Sequence, residues 1–205
     1  MTAQIKERPI LFSGAMVRAL LDGSKTQTRR ALRSQVTAPA VMQMAGPGHA
    51  EIINEYGVHI PGWACPYGQP GDRLWVREAW ARTHVAQAMA EWVVYREGDN
   101  RTDYGGPWKP SIHMPRAASR ILLEIVSVRV ERLQDISEED AKAEGISPHE
   151  VRQFAIFGLS AAERAAVYRD AAVGPFQGLW QHINGVGSWD ANPWVWVVEF
   201  KRVTP

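Results

Sequence analysis

Apolar residues recur along the chain in short runs, separated by clusters of Gly, Pro, Asn and Asp, and several of the runs alternate with a period of two. Pro9 to Phe12 is a short apolar run suited to a first strand. Ser13 then stands where an N-cap belongs, ahead of a helix through Ala15–Leu21 with Met16, Val17, Leu20 and Leu21 on its apolar face. Gly23 is placed to turn the chain out of that helix. Leu74 and Val76 alternate with Arg73, Trp75 and Arg77 and predict a strand, and Glu91–Tyr95 predicts another. The longest strand-like stretch is Arg120–Leu133. Its apolar residues change faces between Ile125 and Val128, which requires a bulge or bend near Val126–Ser127. Trp194–Val203 reads as a final strand.

Helical signals are fewer. Ser137 begins a short helix with acidic residues in its first turn, and Gly145 ends it. A second helix is expected over Ala161–Ala172, capped by Ser160 with Glu163 three residues on. A third opens at Pro175 or Phe176 and ends near Asn184-Gly185. Gln35–Gln69 is rich in Gly, Pro and Ala and weakly periodic, so it is expected to be a long loop or insertion with one hairpin near Glu51–Ile60. Gly98–Pro110 reads as a loop. Strands spread along the whole chain with few helices between them predict an α+β domain built round a barrel.

The 205 residues suit one domain with a sizeable core. With 23 basic against 22 acidic side chains, the chain lacks the charge for broad capture of duplex nucleic acid. Arg18, Lys25, Arg29, Arg30 and Arg33 still form a local basic stretch opposed only by Asp22, either a patch or a solvated helix end. Cys65 is the only cysteine, so no intrachain disulfide can form. The six histidines are scattered without ligand spacing, so no metal and no other cofactor is expected. The N-terminal residues contain no signal-like apolar segment, and no run reaches the ~18 apolar residues of a membrane helix. A soluble cytoplasmic protein, monomeric by default, is the expectation.

Residues 23–30 hold the densest chemistry. Gly23, Lys25, Thr28 and Arg30 fit G-x-K-x-x-T-x-R, which puts an amine, a hydroxyl and a guanidinium close together. Lys beside a Thr hydroxyl is a base–nucleophile pair in the manner of Ser-Lys hydrolases; the alternative is a basic loop answering a helix C-terminus. The motif resembles the hallmark of the ASCH-domain family. Three further stretches agree with that family in order: Gly71–Val76, the acidic helix Ile136–Gly145, and the closing strand Trp196–Lys201. With Pro115–Arg120 and Gly187–Trp194, the chain is similar to the long form found in phages and prophages.

The resemblance implies a PUA-like β-barrel with insertions at about 34–66, 81–114 and 147–175. It also implies catalytic roles for Lys25, Thr28 and Glu144 in removing an acyl group from an exocyclic base amine, as in N4-acetylcytidine. Thr28 Oγ would attack the acyl carbon, with its proton taken by a Lys25 whose pKa has fallen. In a regular strand, residues three apart point to opposite faces, so the two converge only if Ser24–Gln27 is a turn or bulge. Gly23, Arg30, Arg116 and Trp189 are the candidate substrate-binding residues. Arg116 or Arg120 would sit at the pocket mouth or serve as a rim arginine, and Trp189 would be a stacking or a core residue. The partner is a nucleoside or single-stranded nucleic acid. Alternatives are a non-catalytic RNA- or DNA-binding module and a cleft used for a protein contact.

Overall fold

The computed structural model of the chain describes residues 4–36, 40–85, 90–98, 104–146 and 172–204. The first apolar run forms β1 (Glu7–Leu11), and Ser13 caps α1 (Gly14–Asp22) by accepting a hydrogen bond from Met16 N at 3.4 Å. Gly23 takes φ 84°, the left-handed region that glycine enters without a steric penalty, and turns the chain towards β2 (Gln27–Ala31). Three short strands follow, β3 (Val41–Gly46), β4 (His49–Ile53) and β5 (His59–Ala64). Next come β6 (Arg73–Arg77) and the hairpin of β7 (Trp80–Val85) and β8 (Ala90–Tyr95). After β9 (Leu122–Arg132) come α2 (Glu138–Ala143), α3 (Val173–Asn184) and β10 (Trp194–Val203). The helix expected over Ala161–Ala172 and most of the insertion expected at 147–175 lie outside the described residues.

The main sheet has the order β1-β6-β9-β10-β2, with β1 parallel to β6 and the other pairs antiparallel. In β9, Ser127 opposes Glu199 and Ile125 opposes Phe200, which leaves Val126 as the bulged residue at the predicted place. Strand β10 is apolar without interruption from Trp194 to Val198 because both of its faces are covered. Trp194, Trp196, Val198 and Phe200 join Ile10, Leu20, Leu74, Leu123 and Ile125 in the larger core cluster. Val195 and Val197 point the other way, into a second cluster with Leu133, Ile136, Ala141, Phe176 and Trp189.

The structure corrects one expectation. Residues 41–64 form a three-stranded antiparallel sheet in place of a loop with one hairpin; it is anchored on the larger core by Met42 and Ala50, while Val41, Val58 and Ile60 stay exposed. The mixed α+β architecture is as expected, and among the described residues the main sheet does not close into a barrel. The β1 and β2 edges are bridged by a side chain, Arg30 Nη2 donating to Leu11 O at 2.7 Å. No helix of the described residues is long and apolar enough to cross a membrane.

Candidate functional site

The turn after α1 fixes where Lys25 goes. Ser24 N and Oγ both donate to Asp22 Oδ1, at 2.9 and 2.6 Å, and Lys25 N donates to Ala19 O at 3.0 Å. Lys25 then makes an isolated antiparallel bridge with Glu144, supported by Thr26 N donating to Ala143 O at 2.8 Å. Gly145, at φ 74°, permits the approach: a Cβ there would lie 2.6 Å from Lys25 Cβ and 2.7 Å from Ala19 Cβ. The lysine side chain is wholly removed from water, and its Nζ donates to Glu144 O at 2.9 Å and to Glu144 Oε2 at 2.8 Å. The Phe12 ring lies 5.4 Å away. Burial pushes the ammonium below its ordinary pKa, against the pull of Glu144, and the charges of Arg30 and Arg29 add to the fall.

Lys25 precedes β2, so the rule placing residues three apart on opposite strand faces does not constrain it. Within β2, Thr28 and Arg30 share the face of their partners Val198 and Trp196. The guanidinium of Arg30 lies 5.3 Å from the same Phe12 ring as Lys25, which puts Thr28 on the side of the sheet where Lys25 is enclosed. Gln27 and Arg29 point oppositely, towards α2. Gln27 Nε2 donates to Asp140 O at 2.6 Å.

Arg29, with none of its side chain exposed, holds three carboxylates: Glu131 Oε1 (2.9 Å from Nε and 2.5 Å from Nη2), Asp140 Oδ2 (2.8 Å) and Glu144 Oε1 (3.4 Å). Arg129 extends the network to Glu131, Asp140 and Glu199. Burial raises the Asp140 carboxyl, but the hydrogen bond from Arg29 and the charges of Arg29 and Arg129 outweigh it and leave the group below its ordinary value. Glu144 therefore sits between two basic side chains, with one oxygen on Lys25 and the other on Arg29.

A cavity of about 60 Å³ opens beside this cluster, at the free edge of β2. Thr28, Arg29, Arg30 and Glu144 line its polar wall; Phe176, Trp180 and Ile183 of α3 line the other. A volume of this size holds a few waters or an acyl group, well short of the ~300 Å³ or more of a pocket enclosing a drug-sized ligand. Lys25 lies behind Glu144 and reaches the cavity through it. The structure thus brings Lys25 to Glu144 across 119 residues of sequence, and Glu144 lines the same cavity as Thr28.

The other candidates lie elsewhere. Gly23 acts through its backbone as the cap of α1 and does not line the cavity. Arg116 pairs with Glu7 at the start of β1 (2.7 Å) and is a rim arginine. Arg120 is held by both oxygens of Glu78, at 2.9 and 2.8 Å, beneath a wider depression of about 560 Å³ over β8 that Trp92 and Tyr95 also line. Trp189, a candidate ligand contact, is a core residue packed on the Phe176 ring at 6.2 Å. Glu131, Asp140 and Trp180 have no role in the sequence reading, and Arg29 none beyond the local basic stretch. Strand alternation after Arg30 could have sent Arg29 to the opposite face, and the first turn of the acidic helix could have offered Asp140. No protein-family model, curated protein or solved structure matches the chain.

Proposed function

We propose that the chain is an amidohydrolase acting on an acylated exocyclic base amine of the N4-acetylcytidine kind. Thr28 is the nucleophile, Lys25 the base, and Glu144 the group that holds Lys25 and relays its proton. One observation carries the reading: a lysine wholly out of water directs two N–H groups at Glu144, and Glu144 shares an acyl-sized cavity with Thr28. Neutral Nζ has two hydrogens, both accounted for by Glu144, and its lone pair is left to accept a proton. Burial drives Lys25 towards that neutral form.

The chemistry follows from these roles. The Thr28 Oγ proton passes through Glu144 to Nζ while Oγ bonds to the acyl carbon and the carbonyl π pair moves onto oxygen. Collapse of the oxyanion breaks the C–N bond, and the departing amine recovers the proton from Nζ, directly or through Glu144. Water then attacks the acyl-threonine ester and gives a proton to Nζ. Thr28 Oγ leaves with that proton as acetate departs. Only the acyl group enters the cavity; base and sugar remain at its mouth. The same reading takes the main sheet as a PUA-like barrel of ASCH type, with Arg30 bridging the seam between β1 and β2.

Purified protein is expected to release acetate from N4-acetylcytidine, and Lys25→Ala and Thr28→Ala should each abolish release. The double variant should be little worse than either single one, because the two groups act as a unit. Release that survives Thr28→Ala would remove threonine from the role of nucleophile. A second reading, a nucleic-acid-binding module without turnover, is favoured by the 2.8 Å contact of Nζ with a carboxylate, which is also the geometry of a structural ion pair. Saturable binding of nucleoside or short oligonucleotide without acetate release would select it.

A further inference from the structure

The proposed reaction gives no part to Arg29, although its side chain is as dry as that of Lys25 and the two share Glu144. Strand geometry sends it there. Arg29 opposes Val197, whose side chain enters the smaller core cluster, so the guanidinium crosses to the side of α2 and α3 and lies 5.9 Å from the Phe176 ring. Its donors are then divided. Nε and Nη2 go to Glu131 Oε1 and Nη2 also to Asp140 Oδ2, which leaves Nη1 for Glu144 Oε1 at 3.4 Å. Arg129 holds Glu131 and Asp140 in turn, so Arg29 is clamped before it meets Glu144. A contact of 3.4 Å is long for a hydrogen bond; it steers Oε1 by charge and leaves that oxygen able to take a proton.

The charged groups that face Lys25 among the described residues are Glu144 from the end of α2, and Arg30 and Arg29 from β2. From α1 the lysine meets the backbone of Ala19, from the segment before it the Phe12 ring, and the α3 residues at the cavity carry no charge. Arg30 acts on the amine by charge, but its guanidinium is turned to Leu11 O and not to Glu144. Arg29 alone of the two arginines reaches the lysine's carboxylate. A guanidinium keeps its charge at any working pH, whereas an amine out of water does not.

We infer that Arg29 is a positioning residue: by drawing one oxygen of Glu144 to itself it restricts Lys25 to the other, and keeps the amine ready to take up and return a proton. This deepens the amidohydrolase reading, on which it rests for the reaction, by naming the group outside the reacting atoms that sets the state of the lysine. Glu131 is its counterweight, since the carboxylate charge on Nε and Nη2 tempers the charge that Nη1 brings to Glu144.

Two variants of the full-length protein test this. Each is followed by acetate release from N4-acetylcytidine against pH, and by the titration of Lys25 in protein carrying ¹³C-labelled lysine. Lys25 is the buried one of five lysines, and Lys25→Ala identifies its signal. If that variant fails to fold, the signal is the one whose midpoint stands apart from those of the four exposed lysines. The base works in its neutral form, so release rises with pH through the lysine midpoint. Arg29→Gln keeps a donor and removes the charge; it should move limb and midpoint to higher pH, lowering release about tenfold on the rising limb with recovery above it. Glu131→Gln should move both to lower pH. If Arg29→Gln fails to fold, Glu131→Gln decides alone, at a side chain 17 % exposed. A merely structural arginine would lower the melting temperature and leave limb and midpoint in place, which would overturn the inference while the hydrolase reading stood. Shifted midpoints without acetate release would keep the hold of Arg29 on the pair and end the hydrolase reading. Midpoints that stay put without release would sink both.

Discussion

Arg29 reaches Asp140 at 2.8 Å with its side chain wholly out of water, whereas Arg82 reaches Glu91 at 3.3 Å with both side chains nearly half exposed. In both places an arginine meets a carboxylate across a strand or a helix end, and the physics of the two meetings differs. On the β7–β8 hairpin, water solvates each charge whether or not the pair forms, so the contact is close to neutral in free energy. Around β2, the side chains of Lys25 and Arg29 are wholly out of water. There Lys25 and Arg29 are tolerated because Glu131, Asp140 and Glu144 answer them together. Such a cluster contributes little over an apolar core of the same volume while it is whole, and is costly once one member is removed. That asymmetry lets a fold keep an amine in a dry place where its proton is loosely held.

The comparison breaks or sharpens most with Glu144. Glu144→Ala strands Lys25 without its carboxylate and is expected to lower stability by about 3–5 kcal/mol in urea unfolding, with loss of acetate release. A loss below about 1 kcal/mol would mean that the β2 cluster behaves like the hairpin pair.

A smaller effect is expected from acid. The folded pKa of Asp140 lies below its ordinary value of 3.8, so its stabilisation is present above that value and is lost as pH falls through the folded pKa. Asp140→Asn should therefore flatten part of the acid limb of an unfolding profile. The remainder is expected to persist through Asp72, held low by the hydrogen bonds of Arg8, Lys6 and Gln69 against the raising effect of burial. An unchanged acid limb would show that Asp140 does not gain from its arginines.

The smallest effect belongs to the hairpin. Arg82→Ala should change stability by no more than about 0.5 kcal/mol. A larger loss would place the hairpin under the same rules as β2.

The legible parts of the fold are those where burial imposes a period. β1, α1, the bulge at Val126, α2 and β10 all have a face, or two faces, committed to the core. Strands β3–β5 bury little beyond Met42 and Ala50, so their alternation is too faint to separate from a loop. In the site, Lys25, Thr28 and Glu144 were legible through the 23–30 motif and the acidic helix. Arg29 was not, because an arginine beside another arginine after a helix looks like a solvated charge until its strand is known to be an edge against α2 and α3. Trp189 was hard to place for a related reason: a tryptophan in a Gly/Asn/Pro loop looks exposed, yet Trp189 is packed on Phe176.

The 119-residue span between Lys25 and Glu144 also has a consequence in time. Strand β2 is paired only with β10 among the described strands, so its place in the sheet is set by a strand made long after it. Contacts of such separation carry the greatest loop-closure cost and form late in folding. A half-synthesised chain holds the lysine and the threonine but has no wall to enclose them and no carboxylate to hold the amine. The enclosed lysine and its carboxylate partner exist together only in the finished fold.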